Sequence, residues 1–166
     1  MPDTPLTPIH AQDPAALLEA HFRLWPTPAG MPENPRLEVA ALGFSRYRGD
    51  WLGVLVTPAF VRLLLLPGGG SLWGDIPAGQ RRYLDLAGGT LTFFAEEVPS
   101  IGAYQWAALV ESVAALPDMA SARLLALDGL SLATGALPDL PVAPPEPAPA
   151  VSRRGFFRRL AGKRSE

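Results

Sequence analysis

From Leu37 onward, apolar residues come in short extended runs separated by turn formers, a spacing that predicts strands over Leu37–Phe44, Trp51–Thr57, Phe60–Leu66, Arg81–Leu86 and Thr90–Glu96. In the last of these, Leu91, Phe93 and Ala95 alternate with Thr90, Thr92, Phe94 and Glu96, the pattern of a sheet with one covered face. Arg48-Gly49-Asp50 and Gly88-Gly89 are hairpin turns, because glycine tolerates the positive φ that tight turns require. A first helix is expected after Asp13-Pro14, an N-cap with proline at the first helical position, carrying Leu18, Phe22 and Trp25 on one stripe and ending at Pro26. A second is expected over Ser121–Thr134, from the spacing of Leu124, Leu127 and Leu130, with Gly135 as its stop. Tyr104–Val110 fits either helix or strand. The expected class is α+β: an antiparallel sheet of five to six strands packed with an N-terminal and a C-terminal helix.

Composition narrows the chemistry. The 166 residues contain no cysteine, which excludes a disulfide scaffold, thiolate metal sites and a cysteine nucleophile. Of 19 prolines, eight lie at or before Pro35 and six between Pro138 and Pro149, so the ordered domain is central. The expected division is a flexible lead over 1–12, one domain over 13–136, a stiff proline-rich spacer over 137–151 and a disordered basic tail over 152–166. The tail has six basic residues against one acidic, net +5, whereas residues 1–150 have eight against fifteen, net −7. The overall charge of −2 hides this opposition. The longest apolar stretch, Trp51–Leu66, is interrupted by Pro58 and Arg62 and is short for a membrane span. Met1–Pro8 lacks the basic and apolar regions of a secretory signal, so the expected location is the cytoplasm, without stable membrane insertion.

Few residues are arranged for catalysis. His10 and His21 share no chelating spacing, so no metal site and no cofactor are expected. Gly68-Gly69-Gly70-Ser71 lacks the lysine and following helix of a phosphate loop and is expected to be a flexible turn. Glu96-Glu97 is an adjacent carboxylate pair, but neighbours on a strand point to opposite faces and serve better as solvated charges. No catalytic residues are expected. The tail is more distinctive: Ser152-Arg153-Arg154-Gly155-Phe156-Phe157-Arg158 resembles the twin-arginine export motif S-R-R-x-F-L-K, although it stands at the C-terminal end and is followed only by Leu160-Ala161-Gly162 before Lys163. A plain basic tail touching anionic surfaces is the simpler alternative.

The run Asn34–Phe44, then Gly49-Asp-Trp-Leu-Gly-Val-Leu-Val-Thr-Pro-Ala-Phe60 and Leu63-Leu-Leu-Leu-Pro-Gly68, resembles the HybE/HupJ family of nickel-iron hydrogenase assembly chaperones. Trp73, Gly89-Thr90, Phe93 and Gly102-x-Tyr104 continue the resemblance, which runs from the first helix to about Gly135. It implies a non-catalytic cytoplasmic chaperone acting on the hydrogenase small-subunit precursor with its twin-arginine signal, and on the large subunit as a second client. It also implies that Tyr104–Val110 is a strand. The chain departs from the family pattern at Ala59, where relatives carry an aromatic, and at Glu111-Ser112-Val113, where they carry Ser-Pro. Some relatives are fused to a rubredoxin, whose iron needs four cysteines that this chain lacks.

A chain with few catalytic groups but four tryptophans, three tyrosines and seven phenylalanines can spend some of them as partner anchors. Trp25, Phe44 and Phe93 lie on packing stripes and are expected in the core. Trp51, Phe60, Trp73 and Tyr104, near turns or strand ends, are candidate anchors, together with Thr57 and Pro58 between two strands. A twin-arginine signal would complement an apolar groove with an acidic rim, for which Asp50, Asp85, Glu96, Glu97 and Glu111 are candidates. On the tail, Arg153, Arg154, Phe156 and Phe157 carry the motif. The competing class is a nucleic-acid or membrane-surface module acting through the basic tail. The acidic body argues against it, since nucleic-acid binders present a basic folded face. The oligomeric state is left open.

Overall fold

The computed structural model describes residues 9–135, so the spacer over 137–151 and the tail over 152–166 lie outside the described residues, as does most of the lead. The elements run α1 (Ala15–Arg23), β1 (Ala40–Tyr47), β2 (Asp50–Val56), β3 (Val61–Leu66), β4 (Arg81–Leu86), β5 (Gly89–Val98), β6 (Gly102–Ala108) and α2 (Met119–Thr134). The strands form one antiparallel sheet in the order β1-β2-β3-β6-β5-β4. Two three-stranded meanders therefore meet edge to edge, with β3 beside β6 and the long 67–80 connection crossing to the far edge. The α+β class and the two terminal helices match expectation. At the β1–β2 turn, Arg48 (φ 55°) and Gly49 (φ 91°) are both left-handed, the geometry whose twist suits a two-residue hairpin.

The ambiguous Tyr104–Val110 segment resolves as strand as far as Ala108: Tyr104 and Trp106 lie on one face, Gln105 and Ala107 on the other, and Leu64 pairs with Trp106 across β3–β6. All seven residues of β2 are buried because the two helices cover opposite faces of the sheet. On one face Leu18 and Phe22 of α1 pack with Trp51, Leu55, Phe60, Leu64, Leu66 and Tyr104. On the other, α2 and the 67–80 connection enclose Leu52, Val54, Leu63, Leu65, Leu91 and Phe93. The one-covered-face expectation is thus corrected for the central strands. It holds for β5, whose alternation buries Leu91, Phe93 and Ala95.

The start and packing face of α2 differ from expectation. Asp118 is its N-cap, accepting from the Ser121 backbone N–H at 2.8 Å, so the helix opens at Met119, two residues before the expected position. Gly135 closes it in the left-handed region, as expected. The buried stripe is Ala122, Ala126, Gly129 and Ala133, while Leu124 is 71% exposed. Small side chains let the helix lie close to the sheet: a Cβ on Gly129 would come 3.1 Å from Leu109 Cδ1. The leucines that share the helical period occupy the outer and flanking sides.

The glycine turn is corrected too. It is pinned around the fully buried Asp50, whose Oδ1 accepts from the N–H groups of Gly68 (2.7 Å) and Gly70 (2.9 Å), and whose Oδ2 accepts from Leu72 (2.9 Å) and Trp73 (2.8 Å). The loop does cradle an anion, but the anion is the chain's own. Arg82 donates to the carbonyls of Leu72 and Gly74 and to Gln105 Oε1, and the buried Gln105 donates to the Gly74 carbonyl. Asp50 is therefore removed from the acidic rim.

Candidate functional site

On the α1 face the helix covers the side of β1–β3 and the start of β6 at Tyr104, leaving Trp106 and the strands beyond it outside its cover. Across β6 and β5 toward the β4 edge, the same face is open: Arg81 pairs with Phe94, Phe94 with Trp106, and Trp106 with Leu64, making one row across four strands. Phe94 and Trp106 stack with ring centroids 4.9 Å apart, and Tyr83 nearby is 63% exposed. Aromatic residues on the solvent side of a sheet are the pattern of a contact surface.

Beside this row a cleft of about 320 Å³ opens between Met31-Pro32 on one wall and Val110–Val113 on the other. Asn34, buried, ties the walls together by donating from Nδ2 to the carbonyls of Val113 (3.0 Å) and Leu116 (2.9 Å), while its N–H donates to the Pro58 carbonyl. The cleft is lined as well by Phe60, Arg62, Trp106 and Ala108. The Arg62 guanidinium lies between two rings, 3.9 Å from the Phe60 centroid and 3.7 Å from that of Trp106. Burial pulls its pKa down to about 10, against the opposing pull of Tyr104 and Glu96, so it stays charged at neutral pH. Tyr104, beside it, is pushed up to about 12 by burial and by the Glu96 charge. Glu96 Oε2 accepts from Trp106 Nε1 at 3.3 Å.

Several candidates occupy places other than those expected. Trp51 (9% exposed), Phe60 (7%) and Tyr104 (5%) belong to the α1 core, because α1 closes over the strand ends from which they project. Trp51 donates from Nε1 to the His10 carbonyl at 2.8 Å and carries Arg46 over its ring. Phe60 alone of the three also lines the cleft. Thr57 is buried, its Oγ1 accepting from the N–H groups of Ala59 and Phe60, and with Pro58 it shapes the β2–β3 turn. Trp73 is half-buried against the opposite face and donates from Nε1 to Asp75. Of the carboxylates, Glu111 lines the cleft and Glu96 flanks the row. Asp85, exposed, accepts from Thr90 Oγ1, and Glu97 pairs with Ala103 on the face opposite Glu96. Arg153, Arg154, Phe156 and Phe157 lie outside the described residues. His21 shares a hydrogen bond with Ser100 Oγ through Nδ1 at 2.9 Å, and its buried Nε2 has no partner among the described residues. Among the described residues there is no group of three His, Asp or Glu side chains placed to hold a metal, and no helix long and apolar enough to cross a membrane.

The family model for NiFe-hydrogenase assembly, chaperone, HybE matches residues 13–159. This chain belongs to that family. It is 35% identical over 149 residues to the hydrogenase expression/formation protein HupT of Azotobacter chroococcum, covering 87% of this chain and 94% of the relative. Protein HoxT of Cupriavidus necator is 32% identical over 145 residues, 78% of this chain and 79% of that protein. The solution structure of HybE from Escherichia coli shares the fold, with a TM-score of 0.63 at 21% identity, covering 95% of this chain and 94% of that one.

Within this HybE-family fold, the residues that sequence reasoning missed are Arg62, Phe94, Trp106 and Tyr83. Two of them left a signal. Phe94 is a large aromatic on the polar side of an alternating strand, and Arg62 is a lone cation in an otherwise apolar strand. Once Tyr104 is placed on the α1 face, Trp106 follows two residues later.

Proposed function

We propose that this chain is a non-catalytic cytoplasmic chaperone of nickel-iron hydrogenase assembly, holding the small-subunit precursor with its twin-arginine signal before export, with the large subunit as a second client. The family match across residues 13–159 carries this reading. The name of the relative HupT, hydrogenase expression/formation protein, supports it. The open Phe94–Trp106 row supplies an apolar floor, with Glu96 and Glu111 as acidic groups beside it. A precursor segment pairing apolar residues with guanidinium groups complements such a surface. The test is affinity capture of the tagged protein from cells that express a nickel-iron hydrogenase. Recovery of small-subunit precursor retaining its signal is the expected result. A capture free of both hydrogenase subunits would overturn the reading.

A further inference from the structure

Arg62 faces the cleft with its flat sides occupied and its edge unclaimed. Phe60 and Trp106 hold the two faces of the guanidinium, and no carboxylate of the described residues lies within ion-pair distance. Glu96, whose charge acts on Arg62, is instead engaged by the Trp106 indole N–H. Holding a guanidinium this far from water costs free energy, and aromatic faces offset only part of it, whereas a carboxylate meeting the planar N–H fork recovers more.

We propose that the cleft over Arg62 binds an acidic side chain carried on an apolar segment of a partner protein, the carboxylate meeting the guanidinium edge and the flanking residues packing on the cleft walls. The walls suit such a segment, since Met31, Pro32, Ala59, Val110 and Val113 line the cleft, with Glu111 and Ser112 as its other polar lining. Trp106 also joins the cleft to the half-buried row, where it stacks on Phe94 with the exposed Tyr83 nearby. A chain that passes through covers both, while a chain that ends at Arg62, or a small anion, leaves the aromatic row bare. The proposal goes beyond the assembly role and does not depend on which hydrogenase subunit is held.

The test titrates the full-length protein, labelled with nitrogen-15, with three probes: acetyl-Leu-Glu-Phe-amide, acetyl-Leu-Gln-Phe-amide, and acetyl-Leu-Gln-Phe ending in a free carboxylate. The expected result is a saturable shift of the Trp106 indole N–H, with the Glu probe binding at least tenfold more tightly than the amidated Gln probe. The preference should weaken as salt rises and vanish in Arg62→Met. Arg62→Lys, which keeps the charge but loses the fork, should retain only part of it and guards against a folding defect in the methionine variant. Equal binding of the Glu and amidated Gln probes, or no shift with any probe, overturns the proposal. Tightest binding of the free-carboxylate probe overturns the choice of a side chain over a chain end. No hydrogenase subunit enters the titration, so a failed capture of subunits is distinguishable from a failure here.

Discussion

The Gly68 backbone N–H donates to Asp50 Oδ1 at 2.7 Å, tying the start of the β3–β4 connection to the first residue of β2. Three further N–H groups complete the set around the same buried carboxylate. Burial pushes the Asp50 pKa up, but the four hydrogen bonds together outweigh it and leave it below the usual carboxylate value. Asp50→Asn replaces one acceptor oxygen by an amide NH₂ and orphans donors of the loop. A loss of about 2–4 kcal/mol in denaturant unfolding is expected.

The same group sets a pH dependence. Because its folded pKa lies below the unfolded one, the stability it contributes is present above the unfolded value of 3.8 and is lost as pH falls through the lower folded value. Acid titration of unfolding should show this loss in the wild type and a shallower one in Asp50→Asn. Equal acid sensitivity of the two would remove Asp50 from the account.

The small-residue stripe of α2 gives opposite expectations for two similar positions. Ala126→Leu inserts bulk where helix meets sheet and should cost about 1–3 kcal/mol. Leu124→Ser, on the exposed side, should fall within about 0.5 kcal/mol of wild type. Melting curves of the two variants decide which face packs.

Trp51 and Tyr104 are expected to act on the fold before they act on any partner. Removing either large buried side chain, as in Trp51→Ala or Tyr104→Ala, should cost about 3–5 kcal/mol. Client capture should fall in parallel with folded fraction. Trp106→Ala, at a half-buried position on the open row, should lose capture at a smaller cost in stability. Melting and capture measured on the same samples separate the two behaviours.

The tail makes a further expectation. Arg153-Arg154-Gly155-Phe156 repeats what a twin-arginine client would present, on a segment of charge +5 beside a body of −7. As an internal competitor it would reach the millimolar effective concentration of a short tether. Deleting Val151–Glu166 should then raise affinity for a twin-arginine signal peptide in calorimetry, with the gain shrinking as salt rises. Unchanged or lower affinity would give the tail a direct role in touching client or membrane.

The sequence by itself determined the type of every strand and helix but one, Tyr104–Val110, because local periodicity and turn chemistry are properties of neighbours along the chain. The alternation of Leu91, Phe93 and Ala95, the Arg48-Gly49 turn and the Gly135 stop are all legible at that range. The resemblance carried by Asn34–Phe44, Gly49–Phe60 and Leu63–Gly68 pointed to the family as well. Only the tertiary structure decided which side of each element is buried. Trp51 and Tyr104 look available beside turns until α1 closes over them, and Leu124 looks like core until the alanines and Gly129 of the same helix take the sheet. Asp50 and Gly68 are 18 residues apart, and Arg62, Phe94 and Trp106 come from three strands. Burial and site geometry depend on which distant surfaces meet, and periodicity along one segment carries no record of its partner.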